Sequence, residues 1–260
     1  MVDVTVPPIS LAVPAALDNS EGFSRYFPAV PADLAYLNYL SGLGVTARNL
    51  LSGSLQNAVT SGTLTEGSES LIFDGSDYLD LKIDQPSGDH TMIVVASAPS
   101  TAVNSYLLNN LQSGVAGTSI HWTVVSGQVR PDWVLSHSGT TLQTLSGSTR
   151  AVGTGPHFIC CRYNATSLLR TMNVFRKSTA LLPVGADIIG SSTVTATLPA
   201  ALTTSTTNKM RIGRTLSLTT GESIVQAAGI WNRELTDDEM VAQYLQMRQA
   251  VMNRDPSVIF

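Results

Sequence analysis

The chain has 260 residues, of which 43% are hydrophobic, 13% charged and 6% aromatic, with a formal net charge of −4. That length buries a sizeable core, and an apolar fraction this high with so little net charge excludes disorder. Fifteen Lys and Arg against nineteen Asp and Glu leave no basic excess to neutralise a row of phosphates, so no nucleic acid is expected as partner.

Charge stands at about half of the roughly 25% usual in soluble domains, while Ser and Thr supply about a fifth of the chain, so the expected surface is neutral and hydroxyl-rich. The start carries Asp3 where a secretory signal carries Lys or Arg, and prolines break the apolar run from Leu11 to Leu17. No signal peptide is expected. No stretch approaches the roughly 18 apolar residues of a membrane span, and no membrane partner is expected.

Pro7, Pro8, Pro14, Pro28 and Pro31 punctuate a small-residue sequence with neither strand alternation nor helical period, as in an extended arm or a disordered terminus. In Ala32-Asp-Leu-Ala-Tyr-Leu-Asn-Tyr-Leu, the residues Leu34, Leu37 and Tyr39 or Leu40 predict one face of a short helix ending at Gly42. Residues 1–44 are thus expected to form the arm and short helix, and residues 45–260 the main domain.

From residue 70 the pattern turns to period two. Leu71-Ile-Phe leads through the turn Asp74-Gly75-Ser76 into Tyr78-Leu-Asp-Leu-Lys-Ile, where Leu79, Leu81 and Ile83 alternate with Asp80 and Lys82. Further strands are predicted at 91–98, 105–109, 119–125, 128–135, 157–163, 168–176, 210–214 and 223–231. Their polar, Gly-containing links show no helical pattern, which implies antiparallel pairing in an all-β sandwich or barrel. The Thr- and Ser-rich stretch 191–208 reads as a surface loop or an edge strand. Thr236 with Glu239 makes a capping box, and Met240, Val241, Tyr244, Leu245, Arg248 and Val251 follow helical spacing. The helix is expected to stop near Asp255-Pro256.

The two cysteines, Cys160 and Cys161, are adjacent in the apolar run His157-Phe-Ile-Cys-Cys-Arg-Tyr. In a strand they point to opposite layers, so they are expected to be reduced, small strand residues rather than a disulfide or metal pair.

Two segments together resemble a known family. Ala47-Arg-Asn-Leu-Leu-Ser-Gly followed by Leu71-Ile-Phe-Asp-Gly-Ser-Asp-Tyr-Leu-Asp-Leu is similar to the opening of concanavalin-A-like, laminin-G-like jelly-roll domains. Ile224-Val-Gln-Ala-Ala-Gly-Ile-Trp-Asn-Arg-Glu-Leu-Thr-Asp-Asp-Glu-Met resembles their close, where a last strand turns through W-N-R-x-L-T-x-x-E into a helix. The resemblance implies a concanavalin-A-like antiparallel β-sandwich, or jelly roll, with an N-terminal extended arm and a C-terminal helix. Such modules serve in adhesion proteins, in glycan-processing enzymes and in bacteriophage tail fibres, spikes and head decorations. With the neutral surface and the arm, the resemblance implies a non-enzymatic structural protein of a phage virion. Its expected partners are other virion proteins, a symmetric copy of itself and a host-surface glycan. The alternatives are a receptor-recognising lectin and a glycan-cleaving tail enzyme.

The residues test these expectations. A glycosidase needs two carboxylates about 5–10 Å apart, and the E-x-D-x-x-E string of jelly-roll hydrolases is absent. Asp74, Asp77, Asp80 and Asp84 lie within eleven residues, and Asp74 and Asp77 are the candidate calcium ligands. Turn chemistry is the stronger reading for both, so no cofactor is expected. His90, His121, His137 and His157 show no metal-binding spacing, and no G-x-S-x-G elbow or phosphate loop occurs. A glycan site needs an aromatic platform beside hydrogen-bonding groups, and its candidates are Trp122 and Trp133, on strands joined by the turn Ser126-Gly127. Core packing is the stronger reading for both.

Overall fold

The computed structural model describes residues 28–40, 58–67, 70–99, 104–147, 155–176, 192–215 and 221–252. The expected arm over residues 1–27 and the Ala47–Gly53 element of the family resemblance lie outside them. In chain order the strands begin with β1 (Leu34–Tyr39), β2 (Val59–Ser61), β3 (Thr65–Glu66), β4 (Leu71–Phe73) and β5 (Tyr78–Asp80). They continue with β6 (His90–Ser97), β7 (Ser105–Asn109), β8 (Thr118–Val125), β9 (Gln128–His137) and β10 (Thr141–Ser146). The last are β11 (Pro156–Asn164), β12 (Leu169–Arg176), β13 (Ser192–Thr197), β14 (Arg211–Gly213) and β15 (Ser223–Trp231), before helix α1 (Asp237–Met252).

Two antiparallel sheets face each other. Sheet A runs β13-β12-β11-β6-β15-β4-β3, with β1 also pairing β15, and sheet B runs β10-β9-β8-β7-β14-β5-β2. Long strands follow from β-branched and aromatic runs, and hairpins from residues that accept positive φ. Ser126 (φ 52°) and Gly127 (φ 75°) form the β8–β9 turn, whose two left-handed residues match the twist of the strands they join. The stretch 191–208 contributes β13, the edge strand of sheet A, and its alternating partial burial suits one covered face.

The main core lies between the sheets. Met92, Val94 and Ala96 of β6, Ile159 and Cys161 of β11, and Val225, Ala228 and Ile230 of β15 meet Ile120, Trp122, Trp133, Leu135 and Ile212 of sheet B. The other face of sheet A is covered too. Ile93, Val95, Phe158, Cys160, Phe175, Ala227 and Trp231 pack against Leu235, Met240, Tyr244, Met247 and Val251 of the closing helix and its approach. Cys160 and Cys161 therefore stand in different cores, both free and buried. Desolvation pushes the Cys160 thiol up to about 12 and that of Cys161 well above its ordinary value, so neither forms a thiolate at neutral pH.

The short helix expected at 32–42 is instead strand β1. Tyr36 and Leu40 enter the main core, while Leu37 and Tyr39 enter the helix-side core. Burial on both faces removes the polar alternation that marks a half-exposed strand, and a short continuous apolar run then mimics helical spacing. Residues 28–40 consequently belong with the sandwich, on the far side of the boundary expected at residue 44.

The closing corner follows its sequence reading. Thr236 Oγ1 accepts from Glu239 N at 3.3 Å and Thr236 N donates to Glu239 Oε2 at 2.9 Å. Arg233 clamps the same carboxylate at 2.8 and 2.6 Å. Leu235 and Met240, flanking the cap, share the helix-side core as a hydrophobic staple. Trp231 Nε1 donates to Val30 O at 2.8 Å, tying the corner to the segment before β1.

Candidate functional site

Strand alternation sorts the candidates. Trp122 and Trp133 lie on adjacent strands of sheet B, with Trp122 opposite Pro131 and Trp133 opposite Ile120. Both point inward and are fully buried. Trp133 Nε1 donates to Thr118 Oγ1 at 3.1 Å, and the Trp122 ring meets His157 edge-on at 5.4 Å. The glycan platform expected at these residues is thus not on the surface, because the positions that place them on sheet B turn them toward the core.

Asp74 and Asp77 form a turn. Asp74 Oδ1 accepts from Ser76 N at 2.8 Å and Ser76 Oγ at 2.6 Å, and these bonds hold its carboxyl below the usual range. Asp77, buried, accepts from Thr63 N and Ser76 Oγ, each at 3.2 Å. Among the described residues no three His, Cys, Asp or Glu side chains come together as metal ligands. The histidines are likewise dispersed. His90 lies between the sheets and His121 on the opposite face of sheet B, so their sequence separation does not bring them into one site.

The residues one position away from the tryptophans occupy the opposite face of sheet B, where Ser119, His121, Asp132 and Val134 are also buried and Thr123 and Arg130 are half-buried. On β8 and β9 the outward positions include Ser119, His121, Thr123, Arg130, Asp132 and Val134, paired as His121–Asp132, Thr123–Arg130 and Ser119–Val134. Tyr106 of β7 lies opposite His121, and the two rings stack at 5.0 Å and 24°. Arg130 Nε meets Asp132 Oδ1 at 3.1 Å. Burial, opposed by the Asp132 charge, lowers the His121 pKa and favours neutral imidazole.

The register carries a second row across the sheet. Thr144 lies opposite Val134, Val134 opposite Ser119, Ser119 opposite Asn109, Asn109 opposite Arg211, Arg211 opposite Asp80, and Asp80 opposite Val59. Every strand of sheet B contributes one member. The Arg211 guanidinium lies 4.3 Å from the centre of the Tyr78 ring. Asn109 Nδ2 donates to Gly213 O at 2.9 Å, while Asn109 Oδ1 and Arg211 Nε are buried without partners. Gly213, at φ 93°, allows this close approach, since an added Cβ would come within 2.8 Å of Asp77 O and 2.6 Å of Phe73.

Asp80 links this row to an open groove of about 650 Å³ between β1 and the segment 82–89. Lys82 lines the groove and donates through Nζ to Asp80 Oδ2 at 2.7 Å. Gln85, also in the lining, is buried and accepts through Oε1 from Asn110 Nδ2 at 3.1 Å, leaving its own Nε2 unpartnered. Chemically, the row and groove offer hydrogen-bond donors and acceptors around aromatic rings. The carboxylates of the face, Asp80 on β5 and Asp132 on β9, stand four strand spacings apart, about 19 Å at ~4.8 Å each. That exceeds the separation at which two carboxyls flank one glycosidic bond.

Period-two patterning signals which residues of β8 and β9 face outward. Nothing in the sequence signals that β14 inserts between β7 and β5, which is what brings Arg211 beside Asn109.

No protein-family model matches the sequence, and no curated relative does either. Solved structures do share the fold. The receptor-binding domain of botulinum neurotoxin type G has a TM-score of 0.52 at 10% identity, over 83% of this chain and 52% of that one. The ligand-binding domain of botulinum neurotoxin serotype D, in complex with N-acetylneuraminic acid, has a TM-score of 0.54 at 9% identity, over 82% and 51%. The binding domain of botulinum neurotoxin DC, in complex with SialylT, has a TM-score of 0.51 at 11% identity, over 75% and 47%. This chain spans about half the length of each. At these identities the similarity is one of fold, and the fold is a lectin-like antiparallel β-sandwich with a C-terminal helix.

Proposed function

We propose that the chain is a non-enzymatic attachment module that binds glycan through the outward face of sheet B, carried as a structural component of a bacteriophage virion. The observation that carries the binding reading is the row contributed by all seven strands of that sheet, five of its members polar and its ends at Thr144 and Val59 exposed, with the stacked Tyr106–His121 pair beside it. Sugars present apolar C–H faces and hydroxyls together, and a surface that alternates ring planes with fixed donors and acceptors suits both. The outward face of the opposite sheet is committed to the closing helix. The wide spacing of Asp80 and Asp132 supports binding over cleavage. Two of the neurotoxin structures sharing this fold are described with sialic-acid-type ligands, which is consistent with a glycan partner.

The virion assignment rests on the family resemblance of the opening and closing segments together with the neutral, hydroxyl-rich composition. In this reading residues 1–27 are the arm that docks on a neighbouring subunit, and the sandwich begins near residue 28. A glycan array probed with the purified chain tests the binding half. Retained glycans, lost on His121→Ala with the unfolding midpoint kept, are expected. An array without a single retained glycan would sink it, and sugar release from purified polysaccharide would replace binding with cleavage. Antibody labelling of intact phage particles in electron micrographs tests the virion half.

A further inference from the structure

We infer that β13, the edge strand of sheet A, is a self-association surface, on which a second copy of this chain adds its own β13 antiparallel about a two-fold axis through Thr195. At one margin of the sandwich the sheets end in β3 and β2, of two and three residues, too short to template pairing. At the other margin they end in β13 and β10, of six residues each, which border one another. Edge strands of that length are ordinarily blunted by a charge, a proline, a bulge or a covering element. Ser192–Thr197 has no charged residue and no proline, pairs β12 without a register shift, and has no strand on its other side among the described residues.

The backbone register shows which groups are left over. Leu198 N donates to Leu168 O at 2.9 Å, one step beyond the Thr197–Leu169 pair. Hydrogen-bonded pairs alternate along an antiparallel ladder, so Ser192, Val194 and Ala196 bond to β12, while Thr193, Thr195 and Thr197 aim their N–H and C=O groups at the free edge. The side chains of these three threonines are exposed, whereas Val194 and Ala196 pack on the main core.

What suits this edge to its own copy is its symmetry about Thr195. Antiparallel pairing there sets Thr195 against the partner's Thr195 and Thr193 against the partner's Thr197, and each pair exchanges both of its N–H···O bonds. Threonine meets threonine in every bonded pair, a favourable cross-strand match, and no like charges are opposed. Between them Val194 meets the partner's Ala196 on the core-facing side, so the apolar face runs on across the join. On β10 the corresponding free-edge residues, fixed by Gly147 N donating to Pro131 O, are Leu142, Thr144 and Ser146, which would match a leucine with a serine. Two exposed apolar side chains stand at this margin, Leu169 opposite Thr197 at 36% and Leu142 of β10 at 50%. Because opposed residues project to the same face, the two copies carry their sheets B on one side of the joined sheet. The glycan-binding faces proposed above then point the same way and meet a multivalent surface together, a gain that depends on that binding while the pairing does not.

Sedimentation velocity of the full chain from about 1 to 200 μM tests the pairing, since six-residue strands are small beside the roughly 1,200–2,000 Å² of a stable interface and the dimer is expected to be reversible. The mass is expected to rise with concentration from 27.5 kDa toward twice that value. Thr195→Lys and Thr195→Glu alter an exposed side chain whose backbone bonds no strand of its own chain, so both are expected to keep the unfolding midpoint. Each is expected to raise the dissociation constant at least about tenfold, because like charges then face each other across the two-fold. An equimolar mixture of the two variants is expected to recover the dimer, as a heterodimer. A monomer at every concentration of the unaltered chain, or a dissociation constant unmoved by both substitutions, would overturn the inference.

Discussion

His90 sits between the sheets, fully buried, against Tyr163 at 5.3 Å and edge-on to Trp133 at 6.3 Å. Its Nδ1 lies 2.8 Å from Gly88 O, and since a carbonyl only accepts, Nδ1 carries the hydrogen of a neutral ring. Burial pulls its pKa down to about 4 from 6.5. Between those values the unfolded chain binds a proton that the folded chain does not, so stability is full above pH 6.5 and falls as pH drops toward 4. The loss is on the order of 3 kcal/mol. Urea denaturation at pH 7, 5 and 4 should show this decline, and His90→Gln should flatten it relative to the parent chain. Arg162 is the complementary case of a buried guanidinium with partners at both Nη atoms, its Nε alone unpartnered. Nη1 donates to Leu235 O at 2.9 Å, and Nη2 meets Asn173 Oδ1 at 3.1 Å and Asp237 Oδ1 at 2.6 Å. Arg162→Ala leaves these acceptors unmet and is expected to cost about 2–4 kcal/mol in chemical denaturation. Asp237→Asn, altering a partner that is 81% exposed, is expected to cost under about 1 kcal/mol.

Helix α1 depends on its cap and on one aromatic contact set. Thr236→Ala should cost about 1 kcal/mol, read from the denaturation midpoint. Glu239 is held down to about 2, first by the Arg233 hydrogen bonds and then by Thr236 N. Its folded pKa lies below the ordinary value of 4.5, so its contribution is present above that value and is lost as pH falls through about 2. The Glu239 side chain is 31% exposed and solvent screens the pair, which limits the effect to under about 1 kcal/mol; Glu239→Gln should remove the corresponding part of the acid slope. Tyr244 packs on Phe158 at 5.3 Å and Phe175 at 5.1 Å, and Tyr244→Ala is expected to cost about 3–4 kcal/mol by opening the helix-side core. The cap was legible because T-x-x-E is a local hydrogen-bonding pattern. Strand β1 was not, because its identity depends on two surfaces, one from β15 and one from the helix, contributed by residues nearly two hundred positions away.

At the scale of the molecule, sheet A is buried on both faces and sheet B carries the polar row. A chain beginning at residue 41 lacks β1, leaving the edge of β15 from Ala227 to Trp231 unpaired and removing Tyr36 and Leu40 from one core and Leu37 and Tyr39 from the other. Circular dichroism and thermal melting should show it unfolded, whereas a chain beginning at residue 28 should retain the cooperative transition if the first 27 residues are the proposed arm.

The amino-acid sequence alone determined most of what is local. Period-two patterning located eight of the later strands, the positions of Trp122 and Trp133 on adjacent strands followed from a two-residue turn, and the capping box placed the helix. It also determined that neighbours in a strand face opposite ways, which is why His121 and Asp132 face outward where the tryptophans face in. Only the tertiary structure decided which strands became neighbours. The order of sheet B sets Asn109 beside Arg211 across roughly a hundred residues of chain, and sheet A becomes two-sided because α1 folds back over it. Pairing between distant strands is selected by how the apolar surface of the whole chain is best buried, and no local propensity encodes that choice.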